Sequence, residues 1–176
     1  ILNHGTIGDI TGDFIGNYVL GNYGVGGGAY ANYYEMGNIV GDFIGNYASS
    51  SSSTAEGGAI LNRGTIGDIT GDFIANYVQG KTGAYGGAIY NYSTVRNFTG
   101  DFIGNYAKSE TGTAHGGAIY NLSSSVGTIQ GSFLNNYAQS TSGTAKGGAI
   151  YTTKDLTIGA NNSTSEFTGN YVQVGD

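Results

Sequence analysis

Cysteine, proline and tryptophan are all missing from this chain, and basic residues number six against twelve acidic ones. The missing cysteines exclude a disulfide framework, which fits an exported protein and a cytosolic one equally. A formal charge of −6 leaves no positive stripe to neutralise a phosphate backbone, so nucleic acid is not an expected partner. No apolar run approaches the roughly 18 residues of a membrane span, and no charged segment precedes an apolar stretch at the start. Neither a span nor a signal peptide is therefore expected within these residues.

Glycine, by contrast, fills 34 of 176 positions. So much Gly with runs of Ser is the composition of low-complexity disorder. Yet 15 Tyr, 7 Phe and recurring Ile supply far more apolar surface than a disordered chain carries. One folded domain over residues 1–176 is expected.

Self-similarity organises the chain. FIGNY stands at 14, 43 and 102, FIANY at 73, FLNNY at 133 and FTGNY at 167, with spacings of 29, 30, 29, 31 and 34. Between them come GGAY at 27 and GGAI at 57, 86, 116 and 147. A period near 30 is the mark of a solenoid. Gly, Thr, Ile, Tyr and Phe in short runs, without the 3.6-residue apolar period of helical repeats, make its elements strands. Residues 86–115 serve as the pattern: strands on GAIYN, on Val95 to Phe98 and on GDFIGNY, then a loop, AKSETGTA. Three short strands per turn and about six turns of about 30 residues describe an all-β parallel β-helix. Its approximate turns are 1–26, 27–56, 57–85, 86–115, 116–146 and 147–176.

Stacked turns should place like residues in columns, and the sequence supplies them. Phe14, Phe43, Phe73, Phe102, Phe133 and Phe167 form one interior column; Ile10, Ile39, Ile69, Phe98 and Ile129 a second; Ile7, Met36, Ile66, Val95 and Val126 a third. Small residues at Gly16, Gly45, Ala75, Gly104 and Gly169 suggest a bend into a narrow core, a column that Asn135 interrupts. Asn17, Asn46, Asn76, Asn105, Asn136 and Asn170, and Asn3, Asn32, Asn62, Asn91 and Asn121 followed by Thr152, can hydrogen-bond turn to turn because an amide both donates and accepts. Their expected role is structural.

These alternating motifs, GGA with an apolar residue and FxxN, resemble the repeats in the passenger region of polymorphic-membrane-protein autotransporters, and those of bacterial right-handed β-helix surface proteins more widely. Residues 147–171 resemble an adhesin-type turn with stretched spacing. The resemblance implies a right-handed β-helix and an exported, surface-displayed or secreted protein with an adhesive role. Because Ile1 aligns with Ile60 and Asp176 precedes the position of the next GGA, the chain reads as an excerpt of a longer array or a unit that stacks end to end.

Several columns are candidate sites. Asp13, Asp42, Asp72 and Asp101, continued by Ser132 and Glu166, form an acidic column that is either a calcium site or a solvated face; the glycine-rich calcium loop of other β-helices is missing. Asp9, Asn38, Asp68, Asn97 and Thr128 alternate charge with neutral amide and read as structural. If alternation turns Phe inward, Ile15, Ile44, Ile74, Ile103 and Leu134 point outward as an apolar stripe suited to lateral packing; the alternative tucks them inside. Tyr18, Tyr47, Tyr77, Tyr106, Tyr137 and Tyr171, with Tyr90, Tyr120 and Tyr151, are aromatic rows suited to sugars or to plain stacking. The loops GNYGVG, SSSSSTAE, QGKTGAY, KSETGTAH and QSTSGTAK vary most and collect Glu56, Lys81, Lys108, Glu110, His115 and Lys146, as recognition loops do.

Arg63, Arg96, His4 and His115 are isolated, so no catalytic pairing emerges and an enzyme is not expected. No cofactor is expected either. Thr11, Thr70 and Thr99 share a column, but Val40 and Gln130 break it, which argues against an ice-binding face. The expected function is a non-catalytic structural and adhesive rod at the bacterial surface or outside the cell. Its partners would be itself, laterally or end to end, or a host or cell-surface ligand, glycans included. The alternative is a subunit of an extracellular filament; a polysaccharide-active enzyme and an ice-binding protein rank below both.

Overall fold

The computed structural model describes residues 1–123, 125–159 and 164–175. Asp176 and part of the 147–171 stretch lie outside the described residues. The described residues hold no helix, and thus none long and apolar enough to cross a membrane. All strand pairing is parallel, turn on turn, in the expected register: Phe14 pairs with Phe43, Phe43 with Phe73, Phe73 with Phe102, Phe102 with Phe133 and Phe133 with Phe167. The rings of this column stack at 4.7–4.8 Å with planes within 9° of parallel, the spacing of adjacent strands. The chain is a β-solenoid of about six turns.

The three strands expected per turn are instead five. In residues 86–115 they are Ile89–Asn91, Val95–Thr99, Phe102–Ile103, Tyr106–Ser109 and Thr113–His115, each continuing through the rod as one of five parallel sheets. Two features account for the difference. The GDFIGNY strand breaks after Ile103 because Gly104 has φ 63°, and the stretch expected to be a loop is itself a pair of strands.

That break explains the small residues after Phe. Gly16, Gly45, Gly104 and Gly169 have φ 63–67°, Ala75 has 54° and Asn135 has 56°. The position calls for left-handed backbone, which Gly adopts freely and Asn tolerates. A narrow core is not the cause, since a Cβ at Gly16, Gly45 or Gly104 would meet nothing within 4 Å. Asn135 therefore keeps the column's rule.

The GGA motif answers to two further constraints. Its first Gly is left-handed in every copy, from Gly27 (φ 67°) to Gly147 (φ 64°). Its second lies so close to the next turn that a Cβ on Gly28, Gly58, Gly87 or Gly117 would run into the carbonyl oxygen of the Gly above. Its Ala is buried: Ala29, Ala59, Ala88, Ala118 and Ala149 join the Phe and Ile columns in one continuous core.

Beside that core stands a second, smaller one. Ala48, Ala55, Val78, Ala84 and Ala107 are fully buried between the Tyr strands (Tyr47–Ser50, Tyr77–Gly80, Tyr106–Ser109) and the strands that follow (Thr54–Glu56, Gly83–Tyr85, Thr113–His115). The supposed loops thus form a side arm, joined by tips that a buried serine fastens: Ser50, Ser109 and Ser140 each accept a backbone N–H three residues on, at 2.9–3.2 Å.

Ala75 is exposed, so Ala75→Gly relieves its backbone without removing packing. The substitution is expected to raise stability by about 0.5–1 kcal/mol, the left-handed penalty less the added freedom of the unfolded chain. Gly104→Ala should lower it by a similar amount. Urea denaturation midpoints check both.

Candidate functional site

Asparagine consumes its own chemistry inside the rod. Asn76 is typical: its amide donates to the Phe43 carbonyl at 2.7 Å and to the Asn105 side-chain oxygen at 3.1 Å. Its own oxygen accepts both the backbone N–H and the amide of Asn46, each at 2.9 Å. Both donors and both acceptor sites are used, and the residue is 0 % exposed, so nothing remains for a ligand. The second column does the same from Asn3 through Asn32, Asn62 and Asn91 to Asn121, at 2.8–3.0 Å per step, and closes on Thr152 at 3.3 Å.

The acidic column is also tied into the backbone. Asp13, Asp42, Asp72 and Asp101 each accept the N–H of the residue one turn above, at 2.7–3.0 Å. Each carboxylate thereby takes the place of a strand carbonyl at the corner. The neighbouring Asp9, Asn38 and Asn97 play the same part at 2.7–3.0 Å, while Asn97 donates its amide to Asp68 at 2.8 Å. Among the described residues no three His, Cys, Asp or Glu side chains converge on a point that could hold a metal ion.

Ile15, Ile44, Ile74, Ile103 and Leu134 pair in register outside both large cores. Ile15 is 63 % exposed, whereas the others are half-buried. They point outward and partly cover one another.

The tyrosine rows stack face to face. Centroids from Tyr18 to Tyr171 lie 4.7–5.1 Å apart with planes within 11°, and Tyr90, Tyr120 and Tyr151 follow at 5.1 Å. Each ring hides its neighbour's face, leaving edges and hydroxyls outside, and a sugar needs the face. Burial, then the neighbouring Tyr137 and Tyr77, pushes the Tyr106 hydroxyl up to about 12.

Symmetry breaks where the side arm meets the GGA strands. The arm column runs Gly26, Glu56, Tyr85, His115, Lys146, and the opposing column Leu2, Ala31, Leu61, Tyr90, Tyr120, Tyr151. His115 stacks on Tyr151 at 4.5 Å and 15°, lies 6.0 Å from Tyr120, and meets Tyr85 tilted at 59°. Both its ring nitrogens are buried without a hydrogen-bond partner. Arg63 bonds Glu56 at 2.7 Å and lies 5.8 Å over Tyr90; Arg96 approaches Asp68 at 3.8 Å. The isolated cations of the sequence are thus placed beside carboxylates, and His4 stacks on Tyr33 at 4.8 Å.

Besides Tyr23 on the side arm (84 %), three exposed tyrosines belong to no row: Tyr33 (40 %), Tyr34 (54 %) and Tyr92 (58 %). They occupy the corner just after the Asn3 column. Alignment by repeat passes over them because their columns are occupied elsewhere by His4, Arg63, Leu122, Gly5 and Gly64. The signal that could have found them is an aromatic residue at a position other turns leave to glycine or charge.

Residues 130–153 match the family model of the Chlamydia polymorphic membrane protein (Chlamydia_PMP) repeat. The match covers less than one turn and takes in the FLNN at 133 and the GGAI at 147. No curated protein and no solved structure matches the chain.

Burial, then the charge of Lys146, holds the His115 imidazole below its ordinary value. The unfolded chain therefore takes the proton first. The histidine's contribution to stability is complete above the unfolded value of 6.5 and is lost as pH falls through the lower folded one. Melting temperature should decline below pH 6.5 more steeply in the native chain than in His115→Phe, which keeps the stack and cannot protonate; thermal melts across pH 4–8 check this.

Proposed function

We propose that the protein is a non-catalytic adhesive rod, part of a bacterial surface or secreted protein of the autotransporter-passenger kind. One observation carries the reading: the residues that recur are spent on holding turns together, and the residues that vary face outward. Buried Asn, Phe, Ile and Gly fix the frame. Ser51, Ser52, Lys81, Thr82, Glu110, Thr111, Thr141 and Ser142 are exposed at the tips of the side arm, where changes cost the fold little. The polymorphic-membrane-protein repeat at 130–153 supports surface display.

Replacing tips 81–82, 110–112 and 141–143 with Gly/Ser of equal length is expected to abolish attachment of protein-coated beads to host cells, with circular dichroism unchanged. Attachment at the native level would refute the adhesive reading.

The half-buried stripe offers a second contact, between rods lying side by side. The double variant Ile44→Ser and Ile74→Ser should remove any self-association seen by sedimentation and retain the fold, since both side chains lie outside the cores. Loss of folding would show that these residues serve the rod itself.

A further inference from the structure

A stripe of like side chains at strand spacing constrains what can cover it. Ile15, Ile44, Ile74, Ile103 and Leu134 pair in register on successive turns, so they form ridges about 4.8 Å apart along the rod. A partner that fills every gap between them must carry ridges at the same interval, as facing sheets of identical side chains do when they interdigitate. A second copy of this chain has that interval. The two sides of the stripe also differ in charge. Going round the turn, Asp13, Asp42, Asp72 and Asp101 stand two residues before the stripe. The long tyrosine row stands three residues after it. Beyond that row runs a column of Leu20, Ser49, Gln79, Lys108, Gln139 and Gln173, which holds one cation and no acid. We propose that two copies of the chain pack stripe against stripe with their axes parallel, related by a twofold axis that runs along the rods.

Symmetry turns the charge difference into an orientation. A twofold axis along the rods brings the acidic side of each copy against the tyrosine side of the other. A twofold axis across the rods brings acid against acid and tyrosine against tyrosine. Like charges set against each other at the edge of a contact exclude a pairing, and only the first arrangement keeps the two Asp columns apart. It also puts Lys108 level with Asp101 of the second copy, because both residues belong to the turn 86–115. Backbone N–H groups of the turn above hold the carboxylates in place, so these side chains do not swing clear. The buried amide columns weigh the other way, since dipoles lying side by side favour opposite directions. They are neutral groups sealed inside each rod, with Asn46, Asn76 and Asn105 at 0 % exposure. The carboxylates are whole charges beside the contact, so the charges decide.

This pairing rests on the side-by-side contact proposed above and adds its direction, and one experiment separates the two. The chain has no cysteine, so Ile15→Cys and Leu134→Cys, at opposite ends of the stripe and outside both cores, each provide a single thiol. The two positions lie four turns apart, about 19 Å at strand spacing. Each variant would be treated with a short bismaleimide, alone and as an equimolar mixture, where sedimentation shows it to associate, and the linked peptides read by mass spectrometry. Links of 15 to 15 and of 134 to 134 are expected, with none between 15 and 134. Links between 15 and 134 alone would overturn the parallel arrangement while leaving the side-by-side contact standing; no association of the native chain would overturn both. Lys108→Glu should weaken association several-fold, because it sets like charge against Asp101 twice in each pair. Lys154→Glu, the same change in charge at an exposed position on another part of the turn, should leave association unchanged. Indifference to Lys108→Glu, or equal weakening by both variants, would also overturn the proposal.

Discussion

Hydrogen bonding between successive turns holds every segment of this chain one strand spacing from its equivalents, so each residue has to tolerate a near copy of itself 4.7–4.8 Å away. Phe satisfies this by stacking, Ile by interdigitation and Asn by donating to one neighbour while accepting from the other. Interior Phe and Ile contribute about 1.5–3 kcal/mol apiece. Charge is the hard case, and the Asp column meets it by giving each carboxylate a backbone N–H from the turn above. Where a Cβ would collide with the next turn, only glycine is left, which is why GGA recurs as faithfully as the aromatic residues do.

The sequence shows what repeats with high fidelity and is silent about what repeats only in conformation. The Phe, Ile and Asn columns were readable because identical side chains return at nearly fixed spacing. A bend after Phe was readable from its small residues, but its cause and the membership of Asn135 were not, because Gly16, Ala75 and Asn135 share a backbone angle and not a side-chain type. The side arm was hidden for a related reason: Ala48, Ala55 and Ala107 are too small to announce a core, and Ser50 and Ser109 look like loop residues until their hydroxyls are seen fastening the tips.

The candidate sites divide along the same line. The tyrosine rows were legible as columns, but only geometry shows that their ring faces are turned on one another. Strand alternation left the direction of Ile44 and Ile74 open between outward and inward, and their half-burial comes from neighbours above and below. His115 and the Tyr33–Tyr92 corner lie where the repeat lapses, and a search for recurrence discards such positions first. In a solenoid, individuality is the better guide to recognition, since the recurring residues are already engaged.

The asparagine columns give the rod a direction. In both, the amide of each turn donates toward the higher-numbered turn, and backbone groups fix which atom is oxygen by donating to it. Unlike strand peptide groups, whose dipoles alternate and cancel, these amide dipoles add along the axis, and reversing one would set it against all the others. The long axis therefore has a sign: two such rods lying antiparallel would oppose their amide arrays, while two lying parallel would repeat them.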